Sequence, residues 1–321
     1  MKYLARRLLA AWDRFLFESC EPIVCSMLRI PYAILLMIYV IIWMLDAERW
    51  FTDSGVLRAE TADRIGGYEY WSLLFWLPST LGVVMTCLTI LLLQSLLMLL
   101  GCWSRFQAAC IFMWLTSFQH RNALIVDGED TVFRWVIFFM IFMPLDYAWS
   151  LRSWFRRWRN GQLGLETAAG LAGRSSAWAL RLLQFEITAI YISTAWSKWQ
   201  GITWRDGTAL YYVSRMDDLF GRFWIPDSMF ETAWIVKSMT WAVLGLESLL
   251  PLMLWCRLTR RLAIVAGITL HLCIEYGMHL FLFEWVMIVG LLSFVRPHEW
   301  PPLNFGWLRR QATELPHPRE A

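Results

Sequence analysis

Long apolar stretches alternate with short polar connections along this chain, and the stretches exceed what the core helices of a water-soluble fold need. A helix requires about 20 mostly apolar residues to cross about 30 Å of hydrocarbon. Stretches that reach or approach this length lie near 22–45, 79–101, 105–120, 132–150, 177–197, 232–255, 261–279 and 280–296. The third is short, and the last two are nearly continuous. The pattern predicts an all-α transmembrane helix bundle of about eight spans, with both termini on the same side. The two longest connections after the first and fifth spans, 46–78 and 198–231, are rich in aromatics, as in Tyr68-Glu69-Tyr70-Trp71 and Tyr211-Tyr212. They are predicted to fold back over the mouth of the bundle as short interfacial helices. Before the first span, Asp13 and Arg14 interrupt the apolar run of Met1 to Phe17, and no small-residue cleavage site follows. That segment reads as a basic amphipathic helix on the membrane surface, not a signal peptide. The expected organisation is therefore a surface helix over 1–20, the bundle over 21–297 and a proline-containing cytoplasmic tail over 298–321.

Composition agrees with this reading and excludes alternatives. Of 321 residues, 58% are hydrophobic and 17% charged, too few charges to cover the surface of a soluble domain of this length. The 22 tryptophans suit the two membrane–water interfaces, where the ring is buried and the N–H stays wet. Most fall near predicted span ends, in an outer belt that includes Trp43, Trp71, Trp196 and Trp234 and an inner belt that includes Trp12, Trp103, Trp158 and Trp255. The net charge of +3 gives no sign of nucleic-acid binding. Its distribution matters more, because Lys and Arg are retained on the cytoplasmic side. Most of the basic residues fall in the segments that would then face inward, whereas the outer connections are acid-rich: Asp46 to Glu69, Asp127 to Asp130 and Asp206 to Glu231. Both termini are thus expected in the cytoplasm. All seven cysteines, Cys20, Cys25, Cys87, Cys102, Cys110, Cys256 and Cys273, fall in spans or on the cytoplasmic side, which argues against exoplasmic disulfides.

Ionisable side chains inside spans are costly and mark candidate chemistry. They are Arg29, Arg134, Glu186, Lys237, Glu247, His271, Glu275 and Glu284, with His279 near an outer turn. Ion pairs between helices account for Arg29 and Arg134, and snorkelling accounts for Lys237. His271, Glu275 and His279 recur every fourth residue, on one helical face, as a proton relay, a metal face or a stripe of satisfied structural groups would require. A metal site would need further ligands, and with five histidines in the chain none is predicted. Lys198 ends the fifth span in Trp196-Ser197-Lys198-Trp199. A lysine sheltered among indoles is disfavoured in its charged form, and a neutral amine is a general base. The same position also suits a plain interfacial anchor.

The stretch from Tyr191 through Trp196-Ser197-Lys198-Trp199-Gln200-Gly201 to Trp204 and Gly207 resembles the signature of HTTM-domain proteins, the family that contains vitamin K-dependent gamma-glutamyl carboxylase. Arg29-Ile30, Gly55-Val56-Leu57, Arg121-Asn122 with Asp127 to Asp130, Trp149-Ser150-Leu151 and His271 are similar to further family motifs, so the resemblance covers about residues 12–297. It implies a lysine, here Lys198, that activates a reduced quinone of the vitamin K or menaquinol type. Oxygen and carbon dioxide would be co-substrates, and the product a carboxylated glutamate on an exported peptide. His271, Glu275 and Asn122 are the implied supporting residues, and Trp196, Trp199 and Trp204 the implied quinone-binding ones. Three departures accompany the resemblance. The carboxylase has adjacent lysines where this chain has Ser197-Lys198, a histidine where it has Ala123, and a large extramembrane domain with no counterpart here.

Two functions of different class follow. One is a carboxylase-like enzyme acting on exported peptides or proteins at the exoplasmic face. The other is a non-catalytic maturation, export or immunity partner, since the superfamily also holds toxin-maturation proteins. A transporter is disfavoured, because the chain shows no inverted repeat or broken-helix pair. The expected location is a prokaryotic inner membrane, crossed many times, with no N-glycosylation sequon in the chain.

Overall fold

The computed structural model describes residues 2–17, 19–20, 22–66, 70–162, 175–296 and 299. The surface helix α1 (Lys2–Phe17) precedes α2 (Pro22–Leu45), whose first residue is a proline, as the donor-free first turn allows. The first long connection holds α3 (Ala47–Phe51), α4 (Ala59–Gly66) and a single 3₁₀ turn at Leu73–Trp76. Then come α5 (Leu81–Leu100), α6 (Ser104–Arg121), α7 (Gly128–Met140) and α8 (Leu151–Gln162). Next are α9 (Trp178–Gln200) and the short α10 (Ile202–Arg205), α11 (Ala209–Val213) and α12 (Ser228–Glu231) of the second long connection. The last helices are α13 (Ala233–Trp255), α14 (Arg260–Gly277) and α15 (Phe283–Leu292). The one strand pair among the described residues joins Ser19–Cys20 to Ser175–Ser176, tying the end of α1 to the start of α9. The tail, apart from Glu299, lies outside the described residues.

Three helices, Pro22–Leu45, Leu81–Leu100 and Ala233–Trp255, are long and apolar enough to cross a membrane. Their outward faces are apolar: on α2, Ile34, Ile38, Ile41 and Leu45 are all exposed. Such a surface suits a lipid bilayer, because a helix that is hydrophobic all round has no face for water. The other five predicted intervals each contain a helix, but two differ in extent by more than a few residues. Over 132–150, α7 begins early, at Gly128, because Asp127 and Asp130 form a reciprocal capping box. It stops at Met140, before Pro144, and the chain then runs through turns to Leu151. Over 280–296, helix is confined to Phe283–Leu292, following Phe281 at φ 55°.

The helices pack in two connected groups. In one, α5 lies between α2 and α6, and α7 lies against α6; in the other, α13 lies between α9 and α14, and α15 covers α14. Contacts of α7 with α9 and of α15 with α2 and α7 join them around one continuous core that includes Leu28, Leu36, Leu88, Phe118, Phe133 and Leu183. Arg29 anchors the first group. Fully buried, it donates to the carbonyls of Leu145 (2.8 Å) and Trp149 (2.5 Å) and lies 3.6 Å from Asp146. These are carbonyls that the turns after α7 leave without helical partners. The turn between α5 and α6 closes on the same arginine: Gly101, at φ +73°, leaves no room for a side chain, since a Cβ there would sit 2.2 Å from that of Ser150 and 2.6 Å from Arg29. Gly101→Ala combines this clash with a left-handed backbone that costs about 1–3 kcal/mol. Its thermal unfolding in detergent is expected to fall clearly below that of the unaltered chain, whereas Gly82→Ala, with open space around the Cβ, is expected to leave it unchanged.

Candidate functional site

The second helix group contains several buried or half-buried charged pairs among the described residues. Lys198 lies in the last turn of α9, and its Nζ is 2.5 Å from both carboxylate oxygens of Glu247 on α13. The pair is largely withdrawn from solvent, with the lysine side chain 23% and the glutamate 7% exposed. The same Nζ sits 4.8 Å from the ring centroid of Trp204, which α10 brings back over the end of α9. Lys198 is thus held between a carboxylate and an indole face instead of standing among indoles alone.

Two turns earlier on the same face of α9, about 10 Å along the helix, is Tyr191. Its hydroxyl is 2.6 Å from Nε2 of His271 on α14, and Nδ1 of His271 meets the carboxylate of Glu284 on α15. All three side chains are buried. A neutral imidazole satisfies both contacts, with Nδ1–H donating to Glu284 and Nε2 accepting from the tyrosine. The line Tyr191–His271–Glu284 therefore offers a path for a proton across three helices. The carboxylate fixes the tautomer that leaves Nε2 basic.

Glu275, one turn beyond His271, points to a separate arrangement. One of its oxygens accepts from Arg222 (2.5 Å) and from Trp285 Nε1 (2.9 Å), while Oε2 is buried with no hydrogen-bond partner. This ties the second long connection to α14 and α15, and two backbone contacts strengthen the tie: Gly221 N–H to Gly277 O and His279 N–H to Leu219 O. They also end α14 at Gly277, so His279 lies beyond the helix and not on the His271–Glu275 face. Nearby in the connection, the Thr208 hydroxyl bonds to Asp206 and, with the Thr208 N–H and the charge of Lys237, holds its carboxyl below the usual range.

Asn122 lies apart from these groups. Its Nδ2 donates to Trp50 O (2.9 Å) and its Oδ1 accepts from Leu124 N–H, so the side chain closes the turn after α6 and pins α3 to it. Beside it, Arg121 donates to Leu57 O, and His120 bridges Trp71 O and Arg134. Glu129 accepts from the Leu282 backbone, and Asp127 with Asp130 caps α7. The polar residues before the fourth predicted span thus organise the first long connection. Of the three tryptophans implied as quinone ligands, Trp204 lies against Lys198. Trp196 and Trp199 are exposed on the outside of α9, the latter donating to Ser248 Oγ. Among the described residues no group of three or more His, Cys, Asp or Glu is placed to hold a metal.

Periodicity singled out His271 and Glu275, and its place between tryptophans at a span end singled out Lys198, but neither pointed to Tyr191. The available signal was its place seven residues before Lys198, on the same face. Glu247 and Glu284 stood out as buried acids, but their partners are set by tertiary packing.

No family model matches the chain, and no solved structure is significantly similar to it. The sporulation-delaying protein SdpB of Bacillus subtilis (strain 168) is 24% identical over 193 residues, which span 58% of this chain and 57% of that protein. The chain is a membrane-type helical protein with distant similarity to SdpB.

Removing one partner of a buried ion pair strands the other, so Lys198→Met and Glu247→Gln are each expected to cost about 1–3 kcal/mol of stability. In a double-mutant cycle with Lys198→Met/Glu247→Gln, the combined loss is expected to be smaller than the sum of the singles, with a coupling of about 1–3 kcal/mol. Strictly additive losses in detergent unfolding would show that the two side chains do not pair.

Proposed function

We propose that this chain is an HTTM-like protein of a prokaryotic inner membrane, crossing it about eight times with both ends in the cytoplasm. It modifies exported peptides or proteins at the exoplasmic face by a carboxylase-like reaction. The observation that carries this reading is the Lys198–Glu247 pair, shielded by Trp204 and placed two turns from the Tyr191–His271–Glu284 line.

The base in this reading is a pair. Glu247 holds Lys198 in place, and a proton passed from Lys198 to Glu247 would free the amine to act as a base. The neutral amine then accepts a proton from the bound substrate. Tyr191 and His271 lie behind it, with Glu284 holding the His271 ring so that Nε2 faces the tyrosine hydroxyl. A reduced quinone suits these residues, with Trp204 as a ring face, Lys198 and Glu247 as proton acceptors and the unpartnered Glu275 Oε2 as a further acceptor. When bound, it would supply the oxygen-dependent redox chemistry that generates a strong base.

A second reading, a non-catalytic maturation, export or immunity partner, draws on two observations: the distant similarity to SdpB and the Asn122 side chain, already committed to backbone groups and followed by Ala123.

Co-expression with a Glu-rich exported peptide in quinol-containing membranes separates the two. Mass spectrometry is expected to find a gain of carbon dioxide on the peptide that is lost in Lys198→Ala. A gain that persists in that variant removes Lys198 as base. Absence of modification, with no quinone in lipid extracts of the purified protein, favours the partner reading.

A further inference from the structure

Helix α8 stands out from the bundle. Its sequence, Leu-Arg-Ser-Trp-Phe-Arg-Arg-Trp-Arg-Asn-Gly-Gln, contains no acidic residue. Leu151, Trp154, Phe155 and Trp158 recur at the spacing of one helical face, and all four are exposed. Among the described residues no other helix packs extensively on α8. Arg152, Arg156 and Arg159 are exposed along one flank of the apolar stripe. Bulky aromatics bordered by arginines are the composition of a helix lying in the plane of a membrane interface.

At the first turn of α8 this face runs into an open recess lined by Trp103, Arg105, Phe106, Ile141, Asp146 and Arg152. Its charge is unbalanced. The carboxylate of Asp146 is already engaged by the Ser104 N–H (3.1 Å) and by Arg29 and Arg152, each at 3.6 Å. The recess therefore presents two guanidinium groups, those of Arg105 and Arg152, beside one carboxylate that is already occupied. Arg105 is steered toward the recess by its Nε, which donates to Ile141 O at 2.8 Å. The backbone is strained on either side: Trp103 lies at φ 52° and Trp149, just before α8, at φ 47°. Such conformations cost about 1–3 kcal/mol for bulky residues and persist where the surroundings impose them. Here the first of them sets the exposed Trp103 indole in the recess with Arg105 and Arg152.

We propose that α8 lies in the headgroup layer and that the recess at its start binds the phosphodiester of an anionic phospholipid, with Arg105 and Arg152 on the phosphate and Arg156 adding to the attraction. The occupant is anionic and not zwitterionic, because the only carboxylate in the recess is already taken and cannot pair with a headgroup ammonium. It is a lipid and not a free anion, because the exposed Trp154, Phe155 and Trp158 continue from the phosphate position as a surface for acyl chains.

The test uses the full-length protein, delipidated in detergent and titrated by native mass spectrometry with phosphatidylglycerol, phosphatidylcholine or inorganic phosphate. Phosphatidylglycerol is expected to bind and the other two to bind weakly or not at all. Each arginine near an anionic headgroup contributes about a fivefold factor, so Arg105→Gln/Arg156→Gln is expected to weaken phosphatidylglycerol binding about 25-fold. Arg105 also bonds to Ile141 O, so thermal unfolding of the variant is measured alongside, and an unchanged midpoint assigns the loss to the binding site. Arg257→Gln/Arg261→Gln, which removes the same charge elsewhere, is expected to leave binding intact. Equal binding of phosphatidylcholine, unchanged binding by the Arg105/Arg156 variant, or equal loss in the Arg257/Arg261 variant would overturn the site. Inorganic phosphate competing as well as the lipid would overturn its assignment to a lipid.

Discussion

A charge placed among apolar helices costs several kcal/mol unless its counter-charge or its hydrogen bonds come with it, and that requirement organises this protein. Arg29 satisfies it with two carbonyls and Asp146, and in doing so folds the turns after α7 onto α2. Arg260 satisfies it with the Leu254 carbonyl and Glu299, which holds the start of α14 to the end of the described chain. Lys198 with Glu247, and His271 with Glu284 and Tyr191, satisfy it between helices, so these contacts position four helices while keeping proton-carrying groups in a dry environment. Structure and candidate chemistry therefore use the same side chains.

This dual use explains why the two halves of the molecule read so differently. The polar residues around Asn122 and Arg121 bond mainly to backbone groups such as Trp50 O and Leu57 O, which fits a role in fastening the first long connection. The residues around Lys198 and His271 bond mainly to other ionisable side chains. A proton can move along contacts of the second kind but not of the first. The reactive centre proposed for this chain accordingly lies between α9, α13, α14 and α15.

Much of the helical architecture was legible in the sequence, because apolar runs with clear breaks mark helices such as α2, α5 and α13 whatever packs against them. The extents that differed trace to local chemistry that outweighs apolar periodicity: the Asp127–Asp130 capping box and Pro144 around α7, and the contacts of Leu219 and Gly221 that end α14 before His279. The pairings were not legible. Lys198 and Glu247 are 49 residues apart, and no pattern along either helix says which acid will meet which base. Tyr191 was hidden for another reason, since a tyrosine in an apolar helix looks like core until its hydroxyl is seen to reach a histidine.

The proposed chemistry and lipid contact both depend on one orientation, with the Lys198 end of α9 toward the outside and α8 toward the cytoplasm. Labelling with a membrane-impermeant maleimide tests this directly, using Asp218→Cys and Arg156→Cys in a background where the native cysteines are replaced. The account predicts that Asp218→Cys is labelled in intact cells and that Arg156→Cys is labelled only after permeabilisation. Labelling of Arg156→Cys from outside, with Asp218→Cys protected, would contradict it.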